Sequence, residues 1–247
     1  MMRFLHSGDM GDIVFSLPAI DVAGGGMLIL DESGGATNPH VQRQFSLINN
    51  GVDRNKFGIR QSSFLRPLLL TQPCIQSLTV CNGNGPGHDV VDLNVFRQRA
   101  CAGAMENIAT MHLKALGLYA GLDPFGWLQN IHAGPAYRLV VSRSLRVQGN
   151  FNFWWTHRRD LIGDDVAFVG TDLEYDAFCE ALQLPNLRRE LVSNAYELAS
   201  VIKAAGEFRG NQSLAAALAF GVGHPRMVIE LDVRTPSSLF PGRALYV

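Results

Sequence analysis

Hydrophobic and polar positions form blocks of two kinds along this chain. Short apolar runs of strand length are bounded by Gly, Asn, Pro or Asp, and stretches with apolar residues three to four positions apart lie between them. This alternation is typical of a parallel sheet whose strands are connected by helices, so the sequence predicts an α/β fold. The predicted strands are residues 3–6, 27–30, 77–81 and 90–93 in the first half and residues 137–142, 166–170, 207–209 and 226–230 in the second.

Helices are predicted where apolar residues recur every three or four positions. Residues 97–116 have this spacing and should form a helix with one buried face. Thr171 and Glu174 have the spacing of a capping box, and so do Asn194 and Glu197, so a helix is expected to begin at each pair.

The order of elements occurs twice, which indicates two domains. A stretch rich in glycine with one proline, residues 117–126, separates the two series. We therefore predict a first domain over residues 1–120, a linker over 121–135 and a second domain over 136–247. Two such Rossmann-like domains are expected to face each other across a cleft.

Composition excludes several classes of function. The 247 residues are 47% hydrophobic and 17% charged, which is ample for a buried core. The formal net charge is −1 and Lys and Arg form no run, so electrostatic capture of nucleic acid or of an anionic membrane is not indicated. No apolar stretch has the length of a membrane span and the N-terminus lacks the features of a signal peptide, so we expect a cytoplasmic protein.

Metal binding is not indicated either. The four cysteines include no Cys-x-x-Cys pair and are interpreted as small buried hydrophobes, and the seven histidines lack metal-ligand spacing. We expect no metal held by protein side chains alone.

The first predicted strand enters a helix through a turn with two Gly-Asp pairs. Gly8 and Gly11 can adopt positive φ and let a ligand approach the backbone. The helix N-terminus that follows offers N–H groups to a phosphate or a sugar. Asp9 or Asp12 either caps this helix or acts as a general base or hydroxyl-binding group.

Four segments together resemble one known family. The first has Gly-Asp-Ile followed by Leu-Pro, the second has Asp-Leu at a strand end, the third has Gly before Glu after a strand, and the fourth is a polar turn that begins a helix. They are residues 11–19, 88–97, 168–174 and 208–225. In these segments the chain resembles the ADP-heptose lipopolysaccharide heptosyltransferases, glycosyltransferases of family 9 whose two Rossmann-like domains have the GT-B arrangement.

The resemblance implies a metal-independent glycosyltransferase with a nucleotide-sugar as substrate and no cofactor. Its partners would be the nucleotide-sugar donor and a glycan, protein or modified nucleic-acid acceptor. Asp12 matches the family's base. The acceptor-side candidates are Gly8, Asp9, Gly11, Asp92, Asn94 and Arg97. For the last three the alternative is a turn-forming role.

Donor-side candidates follow strand ends of the second half, where ligands bind in open α/β sheets. Arg143 and Arg146 are candidate diphosphate ligands, with solvated surface arginines as the alternative. The other donor-side candidates, each of which could instead be a helix cap, are Glu174, Asn211, Gln212 and Ser213.

Trp154 and Trp155 could stack on a base or a sugar, although core packing is the favoured interpretation.

Three other functions remain open. The residues 211–213, Asn-Gln-Ser, stand where the family has Asp-Thr-Gly, which allows a non-catalytic nucleotide- or sugar-binding protein. A sugar-nucleotide epimerase would bind the same ligands but needs further acid and base groups. A nicotinamide-dependent dehydrogenase is disfavoured, because the first turn lacks the full Gly-x-Gly-x-x-Gly pattern.

Overall fold

The structure of the chain is a computed structural model. It describes residues 1–32, 58–82, 89–97, 107–118, 121, 124–145, 151–231 and 240–247. The chain divides into two compact units, Met1–Ala104 with Ile108–Pro124 and Met105–Asn107 with Phe125–Val247.

The first unit is built on a parallel sheet with the strand order β3-β2-β1-β4. Its strands are β1 (Met2–His6), β2 (Gly26–Asp31), β3 (Ile75–Cys81) and β4 (Val91–Asp92). Its helices are α1 (Met10–Val22), α2 (Ile59–Leu70), a 3₁₀ helix (Leu93–Arg97) and α3 (Ile108–Ala115).

Helix α1 is a core helix rather than a surface helix. Every residue from Asp12 to Ile20 is buried, and the helix packs against α3. A helix that is buried all round has apolar residues on all its faces, as the sequence of this segment does. The polar exceptions, Asp12 and Ser16, lie inside this core, and Ser16 satisfies its hydroxyl by donating to the Ile13 carbonyl at 2.8 Å.

The second unit is also built on a parallel sheet, with the order β10-β9-β8-β5-β6-β7. Its strands are β5 (Leu139–Ser142), β6 (Val166–Phe168), β7 (Arg188–Arg189), β8 (Glu207–Asn211), β9 (Met227–Glu230) and β10 (Leu245–Tyr246). Its helices are α4 (Asn152–Thr156), a 3₁₀ helix (Arg158–Leu161), α5 (Asp172–Leu182), α6 (Ala195–Ala204) and α7 (Leu214–Gly221).

An aromatic cluster forms the core beside β5 and β6. The ring centroid of Phe178 lies 5.1 Å from that of Trp154 and 5.2 Å from that of Phe168. All three side chains are fully buried. The interpretation of Trp154 as a core residue is therefore confirmed, whereas Trp155 is 45% exposed.

All eight predicted strands are present, with ends that differ by a few residues. Strands β7 and β10 were missed because each has two residues, too few for a pattern. Of the predicted helix over residues 97–116, the end at α3 is confirmed, and residues 98–106 lie outside the described part. The capping box of Thr171 and Glu174 is confirmed at the start of α5.

The cysteine prediction is correct for one of the described residues. Cys74 is buried, and burial followed by the nearby Asp21 raises the pKa of its thiol to about 11. Cys81 and Cys179 are only half-buried, so the prediction of burial is wrong for them. Cys101 lies outside the described residues.

Among the helices of the described segments, none is both long enough and apolar enough to cross a membrane.

Candidate functional site

Each sheet has one position where the winding direction of the chain reverses. In the first unit β2 and β3 extend the sheet on one side of β1, and β4 then pairs on the other side. In the second unit β6 and β7 extend from one side of β5, and β8 pairs on the other. Open α/β sheets bind ligands outside the carboxyl ends of the strands at such reversals. The candidate sites are therefore the strand ends of β1 with β4 and of β5 with β8.

At the end of β1 a chain of polar contacts connects the turn after this strand with the candidate segment 88–97. The Asn94 side-chain oxygen accepts hydrogen bonds from the Ser7 N–H at 3.1 Å and from the Ser7 hydroxyl at 3.2 Å. Asp92 in turn accepts from the backbone N–H and the side-chain amide of Asn94, at 2.9 and 2.7 Å. The structure thus brings the predicted acceptor residues Asp92 and Asn94 against the turn that follows β1. The side chain of Arg97 is outside the described part.

The predicted base Asp12 lies in the first turn of α1 and is 6% exposed. The turn before Asp12 is held by His6, which sequence analysis missed. The His6 ring is fully buried, and its Nδ1 accepts the Gly8 N–H at 2.9 Å. The available signal was a polar residue directly after the apolar pair Phe4 and Leu5 at the end of the strand.

The reason for glycine in this turn differs from the prediction. Neither Gly8 nor Gly11 has positive φ, and Gly11 lies within α1. At Gly8 the reason is space, since a Cβ there would meet His6 Cε1 at 2.7 Å and Asp12 Oδ2 at 3.3 Å. Asp9 is the N-cap residue of α1 by position, but its side chain makes no capping hydrogen bond.

At the end of β8, Asn211 is fully buried and pairs with the loop after β5. Its side-chain oxygen accepts the Ser144 N–H at 3.0 Å, and its amide donates to the Ser144 carbonyl at 2.7 Å. These contacts give the predicted donor residue Asn211 a structural function, which is to join the two strand ends at the reversal.

The next two donor-side candidates lie directly before α7. Gln212 is 6% exposed, and Ser213 is the N-cap residue of the helix. The Ser213 hydroxyl makes no capping bond, and this buried oxygen has no hydrogen-bond partner among the described residues. A helix N-terminus also has backbone N–H groups without intrahelical acceptors, so this position is suited to an anion.

Arg143 lies in a buried ion pair that the sequence did not reveal. Its Nε and one terminal nitrogen donate to the two carboxylate oxygens of Glu230 at 2.9 and 3.1 Å. The Trp154 indole N–H donates to Glu230 at 2.9 Å, and the Phe151 ring lies 4.0 Å from the guanidinium carbon. Arg143 is therefore not a solvated surface arginine, and its charge is balanced by Glu230. The sequence feature that could have indicated Glu230 as a partner is its position as an acidic residue at the end of an apolar strand.

Glu174 closes the capping box of α5. Its Oε2 accepts from the backbone N–H and the hydroxyl of Thr171, both at 2.9 Å. Within the described segments no hydrogen bond to its Oε1 is seen, and the residue is half-buried. Arg146 lies outside the described residues.

Comparison with known proteins finds likeness in structure only. No protein-family model matches the chain, and no curated protein matches its sequence. The glycosyl transferase family 9 protein of Veillonella parvula superposes with a TM-score of 0.58 at 10% identity, over 100% of this chain and 85% of that chain. E. coli heptosyltransferase WaaC with ADP-2-deoxy-2-fluoro heptose superposes with a TM-score of 0.50 at 14% identity, over 100% of this chain and 92% of that one.

The same heptosyltransferase with ADP gives a TM-score of 0.51 at 12% identity, over 99% of this chain and 92% of that one. The predicted α/β fold of two parallel-sheet units is therefore confirmed, and it is the fold of these glycosyltransferases. The resemblance found in the sequence is confirmed at the level of the fold.

Proposed function

We propose that this protein is a glycosyltransferase that moves a sugar from a nucleoside-diphosphate sugar to an acceptor hydroxyl. The observation that carries the proposal is the likeness in fold to glycosyltransferases, which extends over 100% of this chain. One of these neighbours is a heptosyltransferase with ADP. The acceptor would be a glycan, a protein or a modified nucleic-acid base.

The donor diphosphate is proposed to bind at the N-terminus of α7. The buried Ser213 hydroxyl and the first N–H groups of the helix would donate to its oxygens and compensate the charge of the leaving group without a metal ion. Because Glu230 already binds Arg143, we propose Arg146 as the arginine that contacts the diphosphate. Glu174 Oε1 would accept from a hydroxyl of the donor.

Asp12 is proposed as the general base that takes the proton of the acceptor hydroxyl. Its carboxylate lies at the carboxyl end of β1, where a ligand of the first unit would bind. Gly8, Asp9, Asp92 and Asn94 would contact the acceptor. General base catalysis typically contributes a factor of about 10² to 10⁴ in rate, so loss of this carboxylate should lower turnover by a factor of that order.

The test begins with a panel of ADP-, UDP-, GDP-, CDP- and dTDP-sugars and their nucleotides. Binding of one nucleotide to the folded state should raise the melting temperature, and its sugar conjugate should release the nucleoside diphosphate in the presence of acceptor. Asp12→Asn should lower kcat by about 10² or more while the donor Kd changes by less than about twofold. Ser213→Ala should instead weaken donor binding. The proposal fails if no nucleotide or nucleotide-sugar binds.

One alternative has a specific observation in its favour. Asn211 stands where the family has an aspartate, and both polar groups of its side chain are bound to Ser144. This arrangement would also suit a non-catalytic nucleotide-binding protein. Binding of one nucleotide without release of product, across glycan, protein and nucleic-acid acceptors, would favour that alternative.

A further inference from the structure

His6 combines complete burial with a specific hydrogen bond to the turn that follows β1. Its Nδ1 accepts the N–H of Gly8, two residues later, at 2.9 Å. The ring lies beside Phe96 and His112, with centroid distances of 6.3 and 5.4 Å. The imidazole therefore occupies one fixed orientation between the strand end and α3.

The hydrogen bond also fixes the chemical form of the ring. A nitrogen that accepts an N–H must be unprotonated, so in the neutral ring the proton is on Nε2. The other tautomer would place two N–H groups against each other. The geometry of the turn therefore depends on an acceptor at the δ position of residue 6.

The same ring is packed against the residues that lead to Asp12. The position of a Cβ on Gly8 would be 2.7 Å from His6 Cε1 and 3.3 Å from Asp12 Oδ2. The imidazole and the Asp12 carboxylate therefore both lie close to Gly8. A displacement of the turn would move the carboxylate at the start of α1, which begins at Met10.

We propose that His6 is a positioning residue for Asp12: its Nδ1 holds the turn of residues 7–9, and the turn sets the place of the carboxylate. This role rests on the proposed function, in which Asp12 is the base. His6 itself makes no contact with substrate in this scheme. Because a 1 Å misplacement of a catalytic group can cost roughly 10²-fold in rate, the hydrogen bond would matter to turnover as well as to folding.

Two variants separate this role from simple packing. His6→Asn keeps an acceptor oxygen at the δ position, whereas His6→Gln moves the acceptor one atom further out. Gln is nearer to His in volume, so a packing role predicts that the Gln variant is the better tolerated of the two. The hydrogen-bond role predicts the opposite order.

The exchange rate of the Gly8 amide reports the hydrogen bond without any activity. The chain contains only two Ser-Gly pairs, Ser7-Gly8 and Ser33-Gly34, so labelling serine carbonyl carbon and glycine nitrogen reduces the spectrum to two signals. Gly8 exchange should be slow in the wild type and in His6→Asn, and about tenfold faster in His6→Gln. In the active enzyme, kcat should fall by roughly 10- to 100-fold in His6→Gln, with the donor KM changed by less than about twofold.

His224 supplies a matched control in the second unit. Its Nδ1 accepts the N–H of Arg226, also two residues later, at 3.2 Å, and its ring is 2% exposed. It lies before the amino end of β9, away from the carboxyl ends where the site is proposed. His224→Gln should lower stability and leave kcat unchanged.

The outcomes distinguish this inference from the proposed function. If His6→Gln keeps turnover while His6→Asn loses it, or if Gly8 exchanges equally in both, His6 is a packing residue and the inference is overturned. A wild-type protein without transferase activity overturns the proposed function, and the role of Asp12 with it, although the exchange of Gly8 still tests the turn. If the variants do not fold, a ¹⁵N–¹⁵N coupling between the Gly8 amide and His6 Nδ1 in the wild type supports the bond, and a protonated Nδ1 excludes it.

Discussion

Asn211 uses both polar groups of its side chain on one residue, Ser144. It accepts the Ser144 N–H at 3.0 Å and donates to the Ser144 carbonyl at 2.7 Å. In the first unit Asn94 makes the corresponding contact, accepting the Ser7 N–H at 3.1 Å. Asn94 follows β4 and binds the loop after β1, and Asn211 ends β8 and binds the loop after β5. In both units an asparagine at the end of one strand holds the loop that follows the neighbouring strand. The same kind of contact is therefore present in both units.

Asn211→Asp should destabilise the protein. The substitution keeps the shape of the side chain but places a carboxylate oxygen against the Ser144 carbonyl, with no hydrogen to donate. We expect the free energy of unfolding to fall by about 1–3 kcal/mol, measured by urea denaturation. The exposed Asn186 provides the control, since Asn186→Asp makes the same chemical change at the surface and should shift stability by less than about 0.5 kcal/mol. Equal midpoints for the two variants would contradict this account of Asn211.

Gly8→Ala should destabilise the first unit through its contact with the His6 ring. The added Cβ would meet His6 Cε1 at 2.7 Å, and overpacking of this kind costs about 1–3 kcal/mol. In a His6→Ala background the ring is absent, so the same substitution should cost less, and a double-mutant cycle measures the difference. If the cost of Gly8→Ala is the same in both backgrounds, the ring is not what excludes a side chain at this position.

Glu230→Gln should be one of the more destabilising single changes in the second unit. It leaves the Arg143 charge buried without its counter-charge, for which about 3–5 kcal/mol is typical. Asp165→Asn is the matched control, because Arg138 and Asp165 are joined at 3.0 Å but are 49% and 57% exposed. Exposed pairs contribute up to about 1 kcal/mol, so this variant should unfold close to the wild type. A loss of similar size in both variants would show that burial of the Arg143 pair is not decisive.

Periodicity predicted the strands because parallel strands buried on both faces are continuous apolar runs, as in Leu28 to Leu30 of β2. It also predicted the start of α5, since a capping box depends on two side chains three positions apart. These features are local in the sequence. Such strands and helix starts can therefore be predicted, because they depend on residues close together in the sequence.

The contacts of the candidate site were not predictable in the same way. Arg143 and Glu230 are 87 positions apart, as are Ser7 and Asn94, and nothing local indicates that their strand ends meet. Sequence reasoning therefore placed Arg143 at the correct edge of the sheet but missed its partner. It also explained Gly8 by backbone conformation, whereas the close approach of the His6 ring is the reason. Such packing depends on the sheet order, which the sequence pattern leaves open.

His224 should make the protein more sensitive to acid. Its ring is buried, Nδ1 accepts the Arg226 N–H, and Nε2 lies 3.0 Å from the Ala205 carbonyl, to which the neutral ring donates. Desolvation by burial lowers the pKa of His224 below its ordinary value of 6.5 in spite of these backbone contacts. The unfolded chain therefore takes up a proton at a higher pH than the folded protein does.

The stability contributed by neutral His224 is accordingly present above pH 6.5 and is lost as the pH falls below that value towards the folded pKa. His224→Gln should be less stable than the wild type at pH 7.5, and the difference should shrink at pH 5, because the variant has no imidazole to protonate on unfolding. Urea denaturation at both pH values measures this, with His132→Gln as the control at an exposed histidine. A stability difference that stays constant between the two pH values would mean that the folded and unfolded states bind the His224 proton equally.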